Sequence, residues 1–129
     1  MKITKLKAAN INSLATQFMI DFESVIFERS KLFSICGANG VGKSSILDAI
    51  CLALYDKCPR IDDVGNKKDT INGILKSSPL NILTKGKKEA FAEVEFIGID
   101  SYKYVAVWEL KKKIKNTHKT RALYRIDQD

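Results

Sequence analysis

The stretch SICGANGVGKSSILDAI (residues 34–50) runs from a short apolar segment, through a loop with glycine at positions 37, 40 and 42, into a pattern with helical spacing. Its central octet, Gly37-Ala38-Asn39-Gly40-Val41-Gly42-Lys43-Ser44, satisfies G-x-x-x-x-G-K-[ST]. Each fixed position has a physical reason to hold a phosphate. Glycine lets consecutive backbone N–H groups converge on an anion and accepts the positive φ angles that a concave nest requires. A helix starting near Lys43 aims unsatisfied N–H groups and the positive end of its dipole at the same point. Lys43 adds a cation able to reach the β- and γ-phosphates, and the Ser44 hydroxyl suits Mg2+ coordination. Ser45, on the first helical turn, adds a further donor to phosphate. With glycine at about 7% of residues, the four fixed positions match by chance in fewer than about one chain in a hundred of this length. The plain alternative is a glycine-rich turn; the motif predicts binding of a nucleoside triphosphate in the intact protein.

The neighbours supply the context the motif needs. Leu32–Cys36 reads as a short strand buried on both faces. Ile46, Leu47, Ile50, Cys51 and Leu54 draw an apolar stripe on a helix over Ser44–Tyr55, which ends before Pro59. Upstream, Ile3–Ala8 and the alternating Phe18, Ile20 and Phe22 predict two further strands. Residues 57–88 change character, with Pro, Gly, Asp, Asn, Ser and Lys throughout. They predict a long connection with at most a short helix around Thr70–Leu75. The period then switches to two in the region 89–126. Ala90, Ala92, Val94 and Phe96 share one face, Gly98-Ile99-Asp100 offers a turn, and Tyr102, Tyr104, Ala106, Trp108 and Leu110 share the next face. This predicts an antiparallel hairpin, with a last strand at Arg121–Ile126 pairing across a basic loop.

At 129 residues the chain has the size of one domain or of a fragment of a larger one. Its 45% hydrophobic and 29% charged residues are those of a globular protein. No apolar run approaches the roughly 18 residues of a membrane span, and no compact apolar stretch follows the N-terminal lysines, so the expectation is a cytoplasmic protein with no membrane partner. Cys36, Cys51 and Cys58 form neither an even set nor a C-x-x-C pair, which argues against disulfides and zinc and for buried free thiols. His118 has no companion at ligand spacing and reads as a surface residue. The net charge of +7 is modest, but it is unevenly spread. Lys111, Lys112, Lys113, Lys115, Lys119, Arg121 and Arg125 follow one another with no acid between them, which is either a solvated loop or a contact for a polyanion.

Two segments together, MKITKLKAANINSL (residues 1–14) and GANGVGKSSILDAICLALYDKCPR (residues 37–60), resemble the N-terminal head segment of the SbcC family. These are bacterial SMC-like ABC ATPases that work with a nuclease subunit on DNA ends. The resemblance continues more loosely through ILTKGKKEAFAEVEF (residues 82–96) and YKYVAVWEL (residues 102–110). It implies an α/β P-loop NTPase fold, part of lobe I of an ABC-type ATPase head, with a mixed sheet around the P-loop helix and an antiparallel β-hairpin. It implies ATP and Mg2+ as cofactors, held by Gly37, Asn39, Gly40, Val41, Gly42, Lys43, Ser44 and Ser45, with Lys43 in the catalytic role and Ser44 on the metal. It implies an SbcD-type nuclease subunit, a second copy of the head and DNA as partners, and it makes Lys111, Lys112, Lys113 and Lys115 candidates for the DNA contact. Asn12 and Ser13 match a place where relatives approach the base and sugar; a turn closed by a side-chain hydrogen bond is the equal alternative. Asp48, near the loop, reads as fixing a neighbouring backbone segment and not as a base.

The resemblance also implies parts that these residues lack. A glutamine loop, an Asp-Glu pair after a buried apolar strand and an LSGG-like run are absent from the sequence, and no heptad pattern begins. The expectation is that residues 1–129 are the N-terminal part of the head, without coiled coil or C-terminal half, that they leave apolar surface exposed, and that alone they bind nucleotide weakly at most and turn over no ATP. Three other readings remain: the head of a recombination mediator or chromosome organiser, a self-contained P-loop enzyme of kinase type, and a nucleotide-free structural interaction module.

Overall fold

In a computed structural model, residues 1–28, 32, 34–62, 68–71 and 73–126 are described. The chain opens with β1 (Lys2–Ala9) and β2 (Phe18–Asp21), followed by α1 (Val25–Glu28), α2 (Lys43–Tyr55) and α3 (Pro59–Asp62). A two-stranded ribbon, β3 (Thr70–Ile71) with β4 (Ile74–Leu75), and a 3-10 turn at Pro79–Asn81 occupy the long connection. Three long strands complete the fold: β5 (Glu89–Ile97), β6 (Lys103–Lys112) and β7 (Thr117–Ile126). Five strands join in the order β2-β1-β5-β6-β7.

Alternation in the sequence decides the two faces of this sheet. Thr4, Leu6 and Ala8 of β1, Ala90, Ala92 and Val94 of β5, and Ala106, Trp108 and Leu110 of β6 are buried on the side that α2 covers. The opposite face carries a cross-strand ladder, with Lys5 3.4 Å from Glu95 and Lys7 3.1 Å from Glu93. Half-buried cross-strand pairs of opposite charge help to set the register of β1 on β5.

The helix lies on the sheet by a face centred to one side of the stripe its large apolar residues draw. Ser45, Asp48, Ala49, Leu52 and Ala53 are the buried residues of α2; of the expected stripe, Ile46, Ile50 and Leu54 are partly buried against the same core, while Leu47 remains 58% exposed. Small side chains explain the choice. Ala49 and Ala53 meet a sheet surface rich in Ala8, Ala90 and Ala92 in one buried cluster, so helix and sheet approach closely. The polar Asp48 is tolerated there because its carboxylate is fully hydrogen-bonded, as described below.

At its other end α2 is pinned. Asp56, in the left-handed region at φ 57, caps the helix by donating its N–H to the Leu52 carbonyl at 2.9 Å. Its carboxylate accepts from Trp108 Nε1 at 2.9 Å and from Lys119 Nζ at 2.8 Å. The fully buried Trp108 thus ties β6 to the last turn of α2, and Lys119 ties β7 to the same group.

Several expectations change here. Every strand pairing among the described residues is antiparallel, so the sheet is not mixed. Leu32 is 89% exposed and residues 34–36 belong to no strand; Phe33 lies outside the described residues. A strand buried on both faces needs a neighbour on each side, and none stands there among the described residues. Thr70–Leu75 is a ribbon instead of a helix, turning at Gly73 with φ 75. β7 begins at Thr117 and not at Arg121, so most of the basic run is strand and only residues 113–116 turn, with Lys113 N donating to Asn116 O at 2.8 Å. Of the three free cysteines only Cys58 is buried; Cys51 is half-buried and Cys36 exposed.

Candidate functional site

Loop 37–42 delivers the chain into α2 through two left-handed glycines, Gly40 at φ 82 and Gly42 at φ 105. Gly42 occupies the N-cap position of α2, and no side chain caps the helix there. No acidic residue sits in the first turn either, so the positive end of the helix faces the cavity unneutralised. A Cβ at Gly42 would lie 2.9 Å from Leu14 Cγ and 3.4 Å from Ser13 Oγ, which makes this glycine the point where the loop after β1 presses on the helix start.

The cavity at this junction, about 350 Å3, is lined by Asn12, Ser13, Asn39, Gly40, Gly42, Lys43, Ser44, Ser45 and Arg60. The structure therefore brings together most of the residues the motif singles out. Ser44 is exposed at the cavity; Ser45 is buried with its hydroxyl 3.5 Å from that of Ser13. Lys43 Nζ folds back over the loop and donates to the carbonyls of Gly37 and, at 2.8 Å, Ala38. Gly37 and Val41 stand outside the cavity lining: Val41 is 56% exposed, and a Cβ on Gly37 would come within 2.9 Å of Val41 Cγ2.

Asn12 and Ser13 reach the site because their loop is held from both sides. Asn12 N donates to Ile82 O at 2.7 Å, Thr84 Oγ1 donates to Asn12 O at 2.6 Å, and Asn12 Nδ2 donates to Asp48 Oδ2 at 2.9 Å. Asp48 also accepts from Cys58 Sγ at 3.0 Å and from Arg60 Nε at 2.9 Å. It thus clamps the β1 loop and the segment beyond α2 onto α2, the fixing role that its helical position implies. Sequence reasoning missed Arg60, whose approach is set only by this tertiary contact.

Burial and then the hydrogen bond to Asp48 push the Cys58 thiol up from its ordinary 9.0 to about 12, and Cys51 is raised by burial and the nearby Asp48 charge. A raised thiol pKa in the folded state contributes stability that is complete below about pH 9 and is lost as pH climbs toward 12. Cys58→Ser keeps a donor to Asp48 but does not titrate in that range. Its denaturation midpoint is expected to fall less than that of the parent chain between pH 9 and 12; parallel pH curves for the two would refute the shift.

A second hollow, of about 790 Å3, is lined by Gly86, Lys87, Lys88, Lys112, Lys113, Ile114, Lys115 and Asn116. It exists because Lys112 N donates to Lys88 O at 2.7 Å, which lays the loop before β5 against the β6–β7 turn. Lys111, Lys112, Lys113 and Lys115 are all exposed, and Lys87 and Lys88 join them from a part of the sequence that composition did not single out. Among the described residues no helix is long and apolar enough to cross a membrane, and no cluster of His, Cys, Asp and Glu could hold a metal on its own.

Comparison with known proteins follows the same residues. The AAA domain family matches residues 5–126. The SbcC subunit of the nuclease SbcCD from Pseudomonas aeruginosa is 37% identical over 115 residues, covering 87% of this chain and 10% of the relative. Its counterpart in Rhodobacter capsulatus is 39% identical over 117 residues, covering 87% and 9%. Septu protein PtuA of Bacillus mycoides is 33% identical over 97 residues, covering 75% and 12%. The chain spans about a tenth of the length of the curated relatives it matches.

Proposed function

The chain belongs to the AAA domain family and is of the SbcC N-terminal type, and from that premise we propose that loop 37–44 holds the phosphates of ATP with Mg2+. The observation that carries this reading is the uncapped start of α2, opened by left-handed Gly40 and Gly42, in one cavity with Lys43 and the hydroxyls of Ser44 and Ser45. That donor set fits a polyphosphate: amides, hydroxyls and a lysine, with no carboxylate lining the cavity. Asn39, Gly40 and Gly42 supply backbone, Ser45 a further hydroxyl, and Gly37 and Val41 shape the loop from outside the lining. Lys43 is the cation that exchanges loop carbonyls for phosphate oxygens. Ser44 is the residue placed to hold Mg2+, which supplies charge neutralisation on the phosphates when bound. Titration of ATP with and without Mg2+ by calorimetry tests the reading. Lys43→Ala is expected to weaken binding at least about tenfold through loss of a charge-assisted contact; unchanged affinity would sink it.

Residues 1–129 are proposed as the first part of a head, with the phosphate loop at 37–44, the connection at 57–88 and the hairpin region at 89–126. Its sequence carries no Asp-Glu pair after an apolar strand and no LSGG-like run, so the chain by itself binds ATP without turning it over. A second copy closing over the nucleotide and an SbcD-type nuclease subunit are the partners this reading requires, and DNA end processing in double-strand break repair is the activity. Leu47 and Tyr55, 58% and 59% exposed on the outer side of α2, are the surface that the rest of such a head would cover.

DNA is proposed to meet the lysine-lined hollow. Converting Lys111, Lys112 and Lys113 to Glu is expected to weaken duplex binding and to flatten its dependence on salt, by about one unit of slope for each phosphate no longer neutralised. An unaltered salt slope in an electrophoretic or anisotropy titration would reject this DNA site.

A further inference from the structure

Arg60 belongs to no motif, yet α3 carries its side chain to the cavity formed by the phosphate loop. Its Nε donates to Asp48 Oδ2 at 2.9 Å. Asp48, only 7% exposed, is itself held by Asn12 on the same oxygen and by Cys58 on the other. The carboxylate is therefore a fixed anchor. A guanidinium fastened through its inner nitrogen has already lost much of the rotamer freedom that makes a long side chain costly to order. Only Nε is hydrogen-bonded among the described residues, and a guanidinium's two terminal amino groups match two oxygens of one phosphate. The side chain is 45% exposed, so its place against Asp48 is not imposed by core packing.

We propose that Arg60 is a second phosphate-contacting cation of this site, complementing Lys43, with Asp48 as the residue that positions it. The inference rests on the reading of loop 37–44 as a nucleotide site. It assigns the segment after α2 a direct part in recognising a polyphosphate: α3 would be drawn toward the loop when ligand binds, along with Asn12 through the shared carboxylate.

The test uses two probes, Mg2+·ATP and inorganic pyrophosphate, titrated into the parent chain and into Lys43→Ala, Arg60→Ala and Arg60→Lys. Arg60→Ala is expected to bind both probes at least about tenfold more weakly and with a shallower salt dependence, because a forked, charge-assisted contact is gone. Arg60→Lys is expected to recover part of the loss, since it returns the charge without the planar fork. Loss of a partner of the nearly buried Asp48 lowers the unliganded thermal midpoint in either case, so the deciding readout is the salt dependence of binding, which a purely structural role would leave alone. Should Arg60→Ala fail to fold, Arg60→Gln serves the same comparison. If Arg60→Ala holds pyrophosphate as the parent does while Lys43→Ala does not, this inference falls and the nucleotide site stands. A parent chain that binds neither probe overturns both.

Discussion

Trp108→Ala is expected to lower stability by about 3–5 kcal/mol, the range for removing a large buried aromatic side chain. In a domain whose total stability is about 5–15 kcal/mol, such a loss leaves a substantial unfolded population. Trp108 is fully buried at the centre of β6, with its indole N–H satisfied by Asp56. Truncation opens a cavity between α2 and the sheet and also withdraws a donor from the residue that caps α2. Trp108→Phe separates the two effects: it keeps most of the ring and loses the 2.9 Å bond to Asp56, for which roughly 1–2 kcal/mol is expected. Urea denaturation followed by circular dichroism gives both values. Comparable midpoints for Trp108→Ala and the parent would mean that α2 is not seated on this side chain.

Gly42→Ala is expected to cost about 2–5 kcal/mol, combining roughly 1–2 kcal/mol for a non-glycine residue in the left-handed region with about 1–3 kcal/mol for overpacking. The backbone there has φ 105, and the new Cβ would stand 2.9 Å from Leu14 Cγ. Gly40→Ala is the control. At φ 82 its Cβ would meet nothing within 4 Å, so only the conformational cost of about 1–2 kcal/mol applies. Relief of the clash must move either Leu14 or the helix start, so Gly42→Ala is also expected to lose ATP binding when Gly40→Ala retains part of it. Equal stability and equal affinity for the two variants would refute the close approach of the β1 loop.

The glycine turn into α2, the extent of α2 and the β5–β6 hairpin were legible in the sequence because each depends on local rules: glycine spacing, a stretch of helix formers between breakers, and alternation of apolar residues from Ala90 to Phe96 and from Tyr104 to Leu110. What escaped depends on neighbours. The apolar residues 32–36 carry the composition of a buried strand, but strand formation requires a pairing edge, which no composition supplies. Thr117–Thr120 show no alternation because β7 is an edge strand whose residues there are all exposed, so their β structure comes from hydrogen bonds to β6 alone. The stripe on α2 marked residues that flank the contact, Ile46, Ile50 and Leu54, and not its centre, because where helix and sheet approach most closely small alanines meet small alanines. The Asn-Gly dipeptide at 72–73, between Ile71 and Ile74, is a hairpin signal and would have favoured the ribbon over a helix. Arg60 left no such trace, since its place at the site exists only through Asp48.

The pairing of β1 with β5 sets an order of events during synthesis. Lys2 faces Ile97 and Ala9 faces Phe91 across the ladder, so this seam of the sheet joins residues 82 to 95 positions apart. At ribosomal rates of about 5–20 residues per second, β1 is complete roughly 4–16 s before its partner exists. In that interval β2 can cover one edge of β1, while the edge destined for β5 stays open. Loop 37–42 and α2 are made within the same interval and have no β5 or β6 to rest on until those strands arrive. For a nascent chain the proposed nucleotide site is thus a late product, and the open edge of β1 is the part of the sheet left unpaired longest.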